Sequence, residues 1–372
     1  MKQTVDVAAY IWPAFTGDEP RSRIFWPQGN GEWETVQAAV PRFPGHEWPR
    51  RPLWGYCNEA DPRVMEAQIG AAADHGVNVF IYDWYWYDGR PFLEQCLDRG
   101  FLGASNRSRM KFYLMWANHD ATCAWDRRLS EVDSRTPVWR GAVSEAEFRK
   151  IGMLWLRNYL TLPEYYRIDG KPVVAIYDLQ NLIDGLGGIP QAAVAMEWLD
   201  GEARKVGLPG IHYQLIKFGT VHLDQTGVDR GGDETLTPAQ LARLLPFSSL
   251  THYQFVHITR MGFAYGEILN RCRAECAAIA KEFEIPYYPH VSIGWDNTPR
   301  FPHKTGSVCR ENTPQAFEAA LEEARLLAEQ TGAPLVTVNS WNEWTEGSYL
   351  EPDDLHGYGY LEAVRRVFGA RG

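Results

Sequence analysis

The chain reads as a (β/α)8 TIM barrel. Three observations predict it. Short β-prone runs alternate with amphipathic helical stretches from end to end, about eight of each can be counted, and 372 residues at 45% hydrophobic content suit one such barrel with extended loops. A doubly wound open sheet is the competing architecture. No GxGxxG or GxxxxGK turn follows any predicted strand, which removes its phosphate-cradling form. Neither an internal repeat nor a low-complexity segment interrupts the pattern, so residues 1–372 read as a single catalytic domain.

Taken in order, Val5–Trp12 is a β-prone run and forms the first strand. About 13–62 is rich in Pro, Gly and Trp without periodicity and reads as a long first loop. Met65–His75 has helical character and stops at Gly76; Val77–Tyr82 is the second strand and runs into Asp83. Pro91–Arg99 is predicted as a helix, opened by proline and closed by Gly100. Lys111–Met115 is the third strand, and about 120–146 reads as an insertion. The helix Ser144–Leu160 follows, its Ser144 and Glu147 spaced as in a capping box. Pro172–Tyr177 is strand four, Ala192–Lys205 a helix and His212–Phe218 strand five. A Gly/Asp-rich loop, Gly219–Glu234, precedes the short helix Pro238–Leu245 and a weaker sixth strand, His252–His257. Gly266–Phe283 is helical, and Pro286–Ile293 is strand seven, ending in GWDNTPR. The helix Thr313–Gln330, strand eight at Leu335–Val338 and the helix Gly359–Phe368 close the chain.

Composition excludes several function classes. A net charge of −10 with no long basic run speaks against nucleic acid as a partner. The six cysteines, Cys57, Cys96, Cys123, Cys272, Cys276 and Cys309, contain no CxxC pair and read as free thiols rather than zinc ligands. The acids Glu351, Asp353 and Asp354 read as a solvated loop, not a calcium site. No G-x-S-x-G elbow is present. The N-terminus lacks a signal-peptide core, and no run approaches 18 apolar residues, so the expectation is a cytoplasmic protein without a membrane partner.

The chemistry concentrates at predicted strand ends, where a barrel of this kind builds its active site. The stretch from Val336 to Asp354 sets two carboxylates three residues apart, Glu343 and Glu346, among Trp341, Asn342, Trp344 and Tyr349. Rings stack on the apolar faces of sugars, and glycosidic cleavage needs one group to give a proton and another to accept one. The aromatic share of 13%, with 15 Trp and 18 Tyr, falls near strand ends and suggests a ring-lined cleft. The same rule collects Tyr10, Trp12, Asp83, Trp84, Tyr85, Trp116, Asn118, Tyr177, Asp178, Lys217, His257, Trp295, Asp296 and Asn297. Each has a plainer role available: core packing for the rings, capping for Asp83, and the ionic structure of any barrel mouth for Lys217 and His257.

Around Glu343 the pattern becomes specific. Trp341-Asn342-Glu343-Trp344-Thr345-Glu346-Gly347, followed by Tyr349-Leu350-Glu351-Pro352, resembles the NEWxEG…EP segment of glycoside hydrolase family 99, the endo-α-mannosidases. It resembles still more closely the family 99-like WbsX group, found with polysaccharide and O-antigen genes and often labelled glycosyltransferase. Tyr82–Gly89, Phe112–Asn118, GWDNTPR and Tyr358–Glu362 support the likeness over most of the chain. The resemblance implies a retaining hydrolase of α-linked mannose or a similar sugar in a poly- or oligosaccharide. It implies Glu343 as base on the sugar 2-hydroxyl, a 1,2-anhydro intermediate, and Glu346 as general acid and then base, with no cofactor. Tyr10, Trp12, Asp83, Trp84, Tyr85, Trp116, Asn118, Tyr177, Lys217, Trp295, Asp296, Asn342 and Tyr349 are the candidate substrate-binding residues. A polysaccharide glycosyltransferase and a non-catalytic carbohydrate-binding barrel are the alternatives. One departure stands out: where the group usually continues Glu-Asn-Trp after WAN, this chain has His119-Asp120-Ala121.

Overall fold

A computed structural model of the chain describes residues 5–48, 50–217, 237–303 and 308–369. Eight parallel strands wind into a nearly closed barrel: β1 (Asp6–Ile11), β2 (Val79–Tyr87), β3 (Lys111–Trp116), β4 (Lys171–Ile176), β5 (His212–Ile216), β6 (Phe247–Thr251), β7 (His290–Ser292) and β8 (Leu335–Asn339). They pair in the order β6-β5-β4-β3-β2-β1-β8-β7. The seam between β6 and β7 is bridged at Leu250 and Tyr287. Strands of such a barrel are covered on both faces, which is why they read as apolar runs rather than alternating ones. Val7, Ala8, Ala9, Tyr10 and Ile11 of β1 are all fully buried.

The outer helices start and stop where local chemistry dictates. Helix α1 (Pro62–Asp74) begins at Asp61, whose carboxylate accepts from the Arg63 N–H, with proline in the first turn. In α2 (Glu145–Trp155) the Ser144 hydroxyl accepts from the Glu147 N–H, and the chain continues into a wider turn at Leu156–Leu160. Helices α3 (Leu179–Leu186), α4 (Ile189–Lys205), α5 (Pro238–Leu244) and α6 (Tyr265–Glu282) follow. Thr313 caps α7 (Pro314–Thr331), which ends at Gly332 in the left-handed region, and α8 (Gly359–Phe368) is the last. All six cysteines are free thiols, and among the described residues no helix is long and apolar enough to cross a membrane.

Three elements differ from the sequence expectation. The helix expected over Pro91–Arg99 starts late: only its second half is helical, in the wide-turn segment Cys96–Phe101, and Pro91 does not open it. Instead β2 extends to Tyr87, turns at Asp88 and Gly89, both with positive φ, and returns as the antiparallel strand Arg90–Phe92. An Asp-Gly pair with both residues left-handed makes the tight hairpin turn that matches strand twist. The sixth strand is Phe247–Thr251, not His252–His257, whose last three residues form a 3-10 turn. Its hydroxyls disguised it: Ser249 bonds His212, and Thr251 bonds Thr337 inside the barrel. The long first loop carries two short helices, Pro20–Ile24 and Trp33–Gln37, and the insertion carries a hairpin of Ala121–Thr122 with Pro137–Trp139. The Gly219–Glu234 loop lies outside the described residues.

Candidate active site

Beyond β8 the chain forms a tight knuckle. Asn342–Glu343 pairs antiparallel with Ser348–Tyr349, and a 3-10 turn at Trp344–Glu346 lies between them. Gly347 closes the turn at φ 61°, and a Cβ there would sit 2.8 Å from that of Asp296, so only glycine fits. Ser340 fixes the entrance: its hydroxyl accepts from the Glu343 N–H at 2.6 Å and donates to the Ser348 carbonyl. The knuckle therefore presents Glu343 and Glu346 toward the barrel mouth with little freedom.

A single guanidinium gathers the acids. Arg300 donates through Nη1 to Glu346 at 2.9 Å, through Nη2 to Glu343 at 3.1 Å, and through Nε and Nη2 to Glu32 at 2.7 and 3.0 Å. Its planar fork makes four hydrogen bonds to three carboxylates, gripping Glu32 with two of them, one more than the three donors of an ammonium allow. Glu32 is held in turn by the Trp12 indole N–H at 2.5 Å and the Thr345 hydroxyl at 3.1 Å. On the opposite side the Tyr253 hydroxyl lies 2.9 Å from Asp83 and 3.2 Å from Glu343. A phenol has one proton, so it donates to one carboxyl and can accept from the other only when that one is protonated. The second Asp83 oxygen is buried without a hydrogen-bond partner.

Burial dominates the electrostatics. It pushes Glu343 well above the usual carboxylate range, with the charge of Glu346 adding to the effect and Arg300 opposing it. Glu346 is pushed up to about 6 by burial, again against Arg300. Asp83 is raised well above its ordinary value by burial, while the bond from Tyr253 opposes the rise. The two glutamates titrate as a pair, and one of them keeps a proton toward neutrality. These groups border a cavity of about 130 Å3, also lined by Trp12, Tyr85, Met115, Ala117, His119, Trp125 and Tyr177. Burial lowers His119, so its imidazole is neutral there.

Of the candidates read from the sequence, Trp12, Asp83, Tyr85, Tyr177, Glu343 and Glu346 meet in this cavity. The others do not line it. Tyr10 lies a layer below, its hydroxyl donating to the His252 carbonyl. Trp84 and Trp116 pack outward on Trp155 of α2. Asn118 ties β3 to the start of α3 through both backbone groups of Asp178. Lys217 pairs with Glu275 of α6. Trp295 packs against the core. Asp296 pins the first loop, accepting from the Trp48 indole and Thr298, within 2.7 Å of His46 and 3.6 Å of Arg42. Tyr349 stacks on Trp344 and donates to Asp353. Asn342 clips the knuckle to β1, accepting from the Trp12 N–H and donating to Glu59.

Sequence reasoning missed Arg300, Glu32, Tyr253 and Trp125. Arg300 ends the GWDNTPR run and could have been taken with it. Tyr253 was hidden by the shift in strand six, since it follows the true strand end by two residues. Glu32 and Trp125 sit in loops that carry no periodic signal. The His119 departure falls in the cavity, whereas Asp120 turns away to bind Arg140 and the Gly141 N–H.

Behind Asn342 lies a second buried acid pair. Gln68 donates to both Glu59 and Glu351, and Trp344 donates to Glu351. Burial pushes Glu59 up to about 7 and Glu351 well above its range. The folded state thus holds a proton that an unfolded glutamate releases near 4.5, so this contribution to stability is present at low pH and lost as pH rises to about 7. The melting temperature should fall over that window, by an amount corresponding to roughly 2–3 kcal/mol. Glu59→Gln should flatten the slope in calorimetric scans at stepped pH. An unchanged slope would assign the effect elsewhere.

A family model described as "Glycosyltransferase WbsX" matches residues 7–364. An "Uncharacterized protein WxcX" of Xanthomonas campestris pv. campestris (strain B100) is 26% identical over 362 residues, and its counterpart in a second strain is 27% identical over 361. Each match covers 94% of this chain but 47% of the relative, so the chain spans about half the length of the curated relatives it matches. A GH99 endo-alpha-mannosidase from Bacteroides thetaiotaomicron superposes with a TM-score of 0.57 at 15% identity, covering 98% of this chain and 97% of that one. A structure titled "Glycoside hydrolase-like protein" gives 0.60 at 15%, covering 98% and 94%. At these identities the superpositions establish the shared barrel.

Proposed function

We propose that this chain, which belongs to the WbsX family, is a retaining glycoside hydrolase acting on α-linked mannose or a similar sugar of a poly- or oligosaccharide. The observation that carries the reading is the acid pair: two buried glutamates on one rigid knuckle, bridged by Arg300 and sharing a ring-lined cavity. Glu343 lies deep, at 2% exposure, and Glu346 nearer the opening, its side chain 16% exposed. That order suits a base acting on a sugar hydroxyl inside and an acid meeting the leaving oxygen outside.

In this scheme Glu343 takes the proton of the 2-hydroxyl, whose oxygen attacks C1 as the C1–O bond to the aglycone breaks. Glu346 protonates the departing oxygen. Water, deprotonated by Glu346, then attacks C1, the three-membered ring opens, and Glu343 returns its proton to O2. In the free protein, burial raises both glutamates, against the opposing charge of Arg300. A hydroxyl donating to Glu343 favours its ionised form and leaves the proton on Glu346.

The family description favours a second reading, sugar transfer from a nucleotide-linked donor. The carboxyls of Glu32, Glu343 and Glu346 on one guanidinium, with Asp83 across the cavity beside Tyr253, make the site a poor place for a diphosphate. Glu346→Gln tests the choice. Alkyl or oligomeric α-mannosides should be cleaved roughly 100- to 10,000-fold more slowly, and aryl mannosides with good leaving groups far less affected, because they need little protonation. Equal loss on both substrates would remove Glu346 as the acid. Consumption of a nucleoside diphosphate sugar by wild type, with no mannoside cleaved, would favour transfer.

A further inference from the structure

We infer that the cavity admits only a chain end, so that the protein removes single sugars from the non-reducing terminus rather than cutting within a chain. This rests on the hydrolase reading and deepens it. The insertion after β3 is a strap across the barrel mouth. Its base is the short hairpin in which Ala121 faces Trp139, closed by the Gly141 N–H donating to Asp120 at 2.8 Å. Its far end is tied to the loop after β7: the Ser130 hydroxyl donates to the Arg300 carbonyl at 2.5 Å, and Glu131 accepts from the His303 N–H at 2.6 Å. In the barrel β3 and β7 lie opposite each other, with three strands between them in either direction, so a segment tied at both crosses the mouth.

Under the strap the space is filled. The Trp125 ring lies 5.2 Å from Trp12, 5.6 Å from Tyr85 and 5.7 Å from His119, and it stacks on Trp26 behind them. A polymer running through the site would have to pass this wall. The strap is also anchored midway, where Arg128 donates to the Ile24 carbonyl at 2.9 Å while held by Asp126.

Exposure runs one way. Asp83 and Glu343 on the floor are 3% and 2% exposed, whereas His119, Tyr177 and Glu346 are half-buried and mark the opening. The cavity of about 130 Å3 is well below the roughly 300–1,000 Å3 of clefts that enclose drug-sized ligands, and suits one ring. With the proposed acid Glu346 at the opening, the leaving group departs outward and the enclosed sugar is the glycone. A glycone with nothing beyond it is a non-reducing end.

The test uses α-linked mannotetraoses fluorescently labelled at the reducing end, with and without a bulky ketal on the non-reducing terminal sugar. Wild type should release mannose and shorten the labelled chain one residue at a time, and the capped chain should be cut at least about 100-fold more slowly, since the cap clashes with the wall. Trp125→Ala should narrow that gap. Should its fold be lost, Ser130→Ala, which frees the strap end, should narrow it in the same direction. Early internal fragments, or equal cleavage of capped chains, would overturn the inference and leave the hydrolase reading standing. Absence of any release would overturn the hydrolase reading, and the inference with it.

Discussion

Glu343→Gln should yield a folded protein whose kcat/KM on α-mannosides falls by roughly 100- to 10,000-fold. The amide keeps the shape of the side chain but cannot accept the proton of a 2-hydroxyl. Its oxygen can still accept from Arg300, which donates to Glu343 at 3.1 Å, with the Thr345 hydroxyl 3.2 Å away, while its NH2 faces the oxygen of Tyr253. The change also removes a buried carboxyl that burial and Glu346 already disfavour as an anion, so the melting temperature should hold or rise. Binding of methyl α-mannoside should survive, measured by calorimetry on both proteins. Loss of turnover with retained binding separates an enzyme from a carbohydrate-binding barrel. Full activity of the variant would refute the assignment of Glu343.

What could be read before the structure follows from how each group reports itself. Strands covered on both faces announce themselves as apolar runs, so β1, β2, β3, β4, β5 and β8 were legible within a few residues. Strand β6 was not, because its interior face carries Ser249 and Thr251 bonded to other strands, and a polar strand resembles a loop. The acid pair was legible because both members lie on one knuckle within four residues. The cation that joins them was not. Arg300 is set by the loop after β7 and Glu32 by the first loop, and no local pattern ties either to Glu343. Proximity to a strand end also over-collected. Asp296 and Asn342 stand at such ends, yet their hydrogen bonds go to loop residues and to β1, so they shape the cavity wall without lining it.

Replacing Arg300 by methionine should have the largest effect on stability. The guanidinium is 7% exposed and holds Glu32, Glu343 and Glu346, which are 0%, 2% and, for the Glu346 side chain, 16% exposed. Removing one partner of a buried ionic group leaves the others uncompensated, at a cost of roughly 3–5 kcal/mol. The cost has a pH signature. Without Arg300 the folded-state values of Glu343 and Glu346 rise further, because the cation that lowers both is gone. The variant's folded state then binds protons that the unfolded chain has released, so its deficit against wild type should grow as pH increases from about 5 to 8 and shrink in acid. Arg300→Lys should recover part of the loss, since an ammonium keeps the charge but cannot reproduce the four bonds or the two-point grip on Glu32. Denaturant titrations of the three proteins at pH 5 and pH 8 read both effects. Equal stability of Arg300→Met and wild type at pH 8 would mean that the acids find other partners or stay protonated there. The buried cluster would then be held by neutral hydrogen bonds, with Tyr253 and Thr345 carrying the contacts that Arg300 is assigned here.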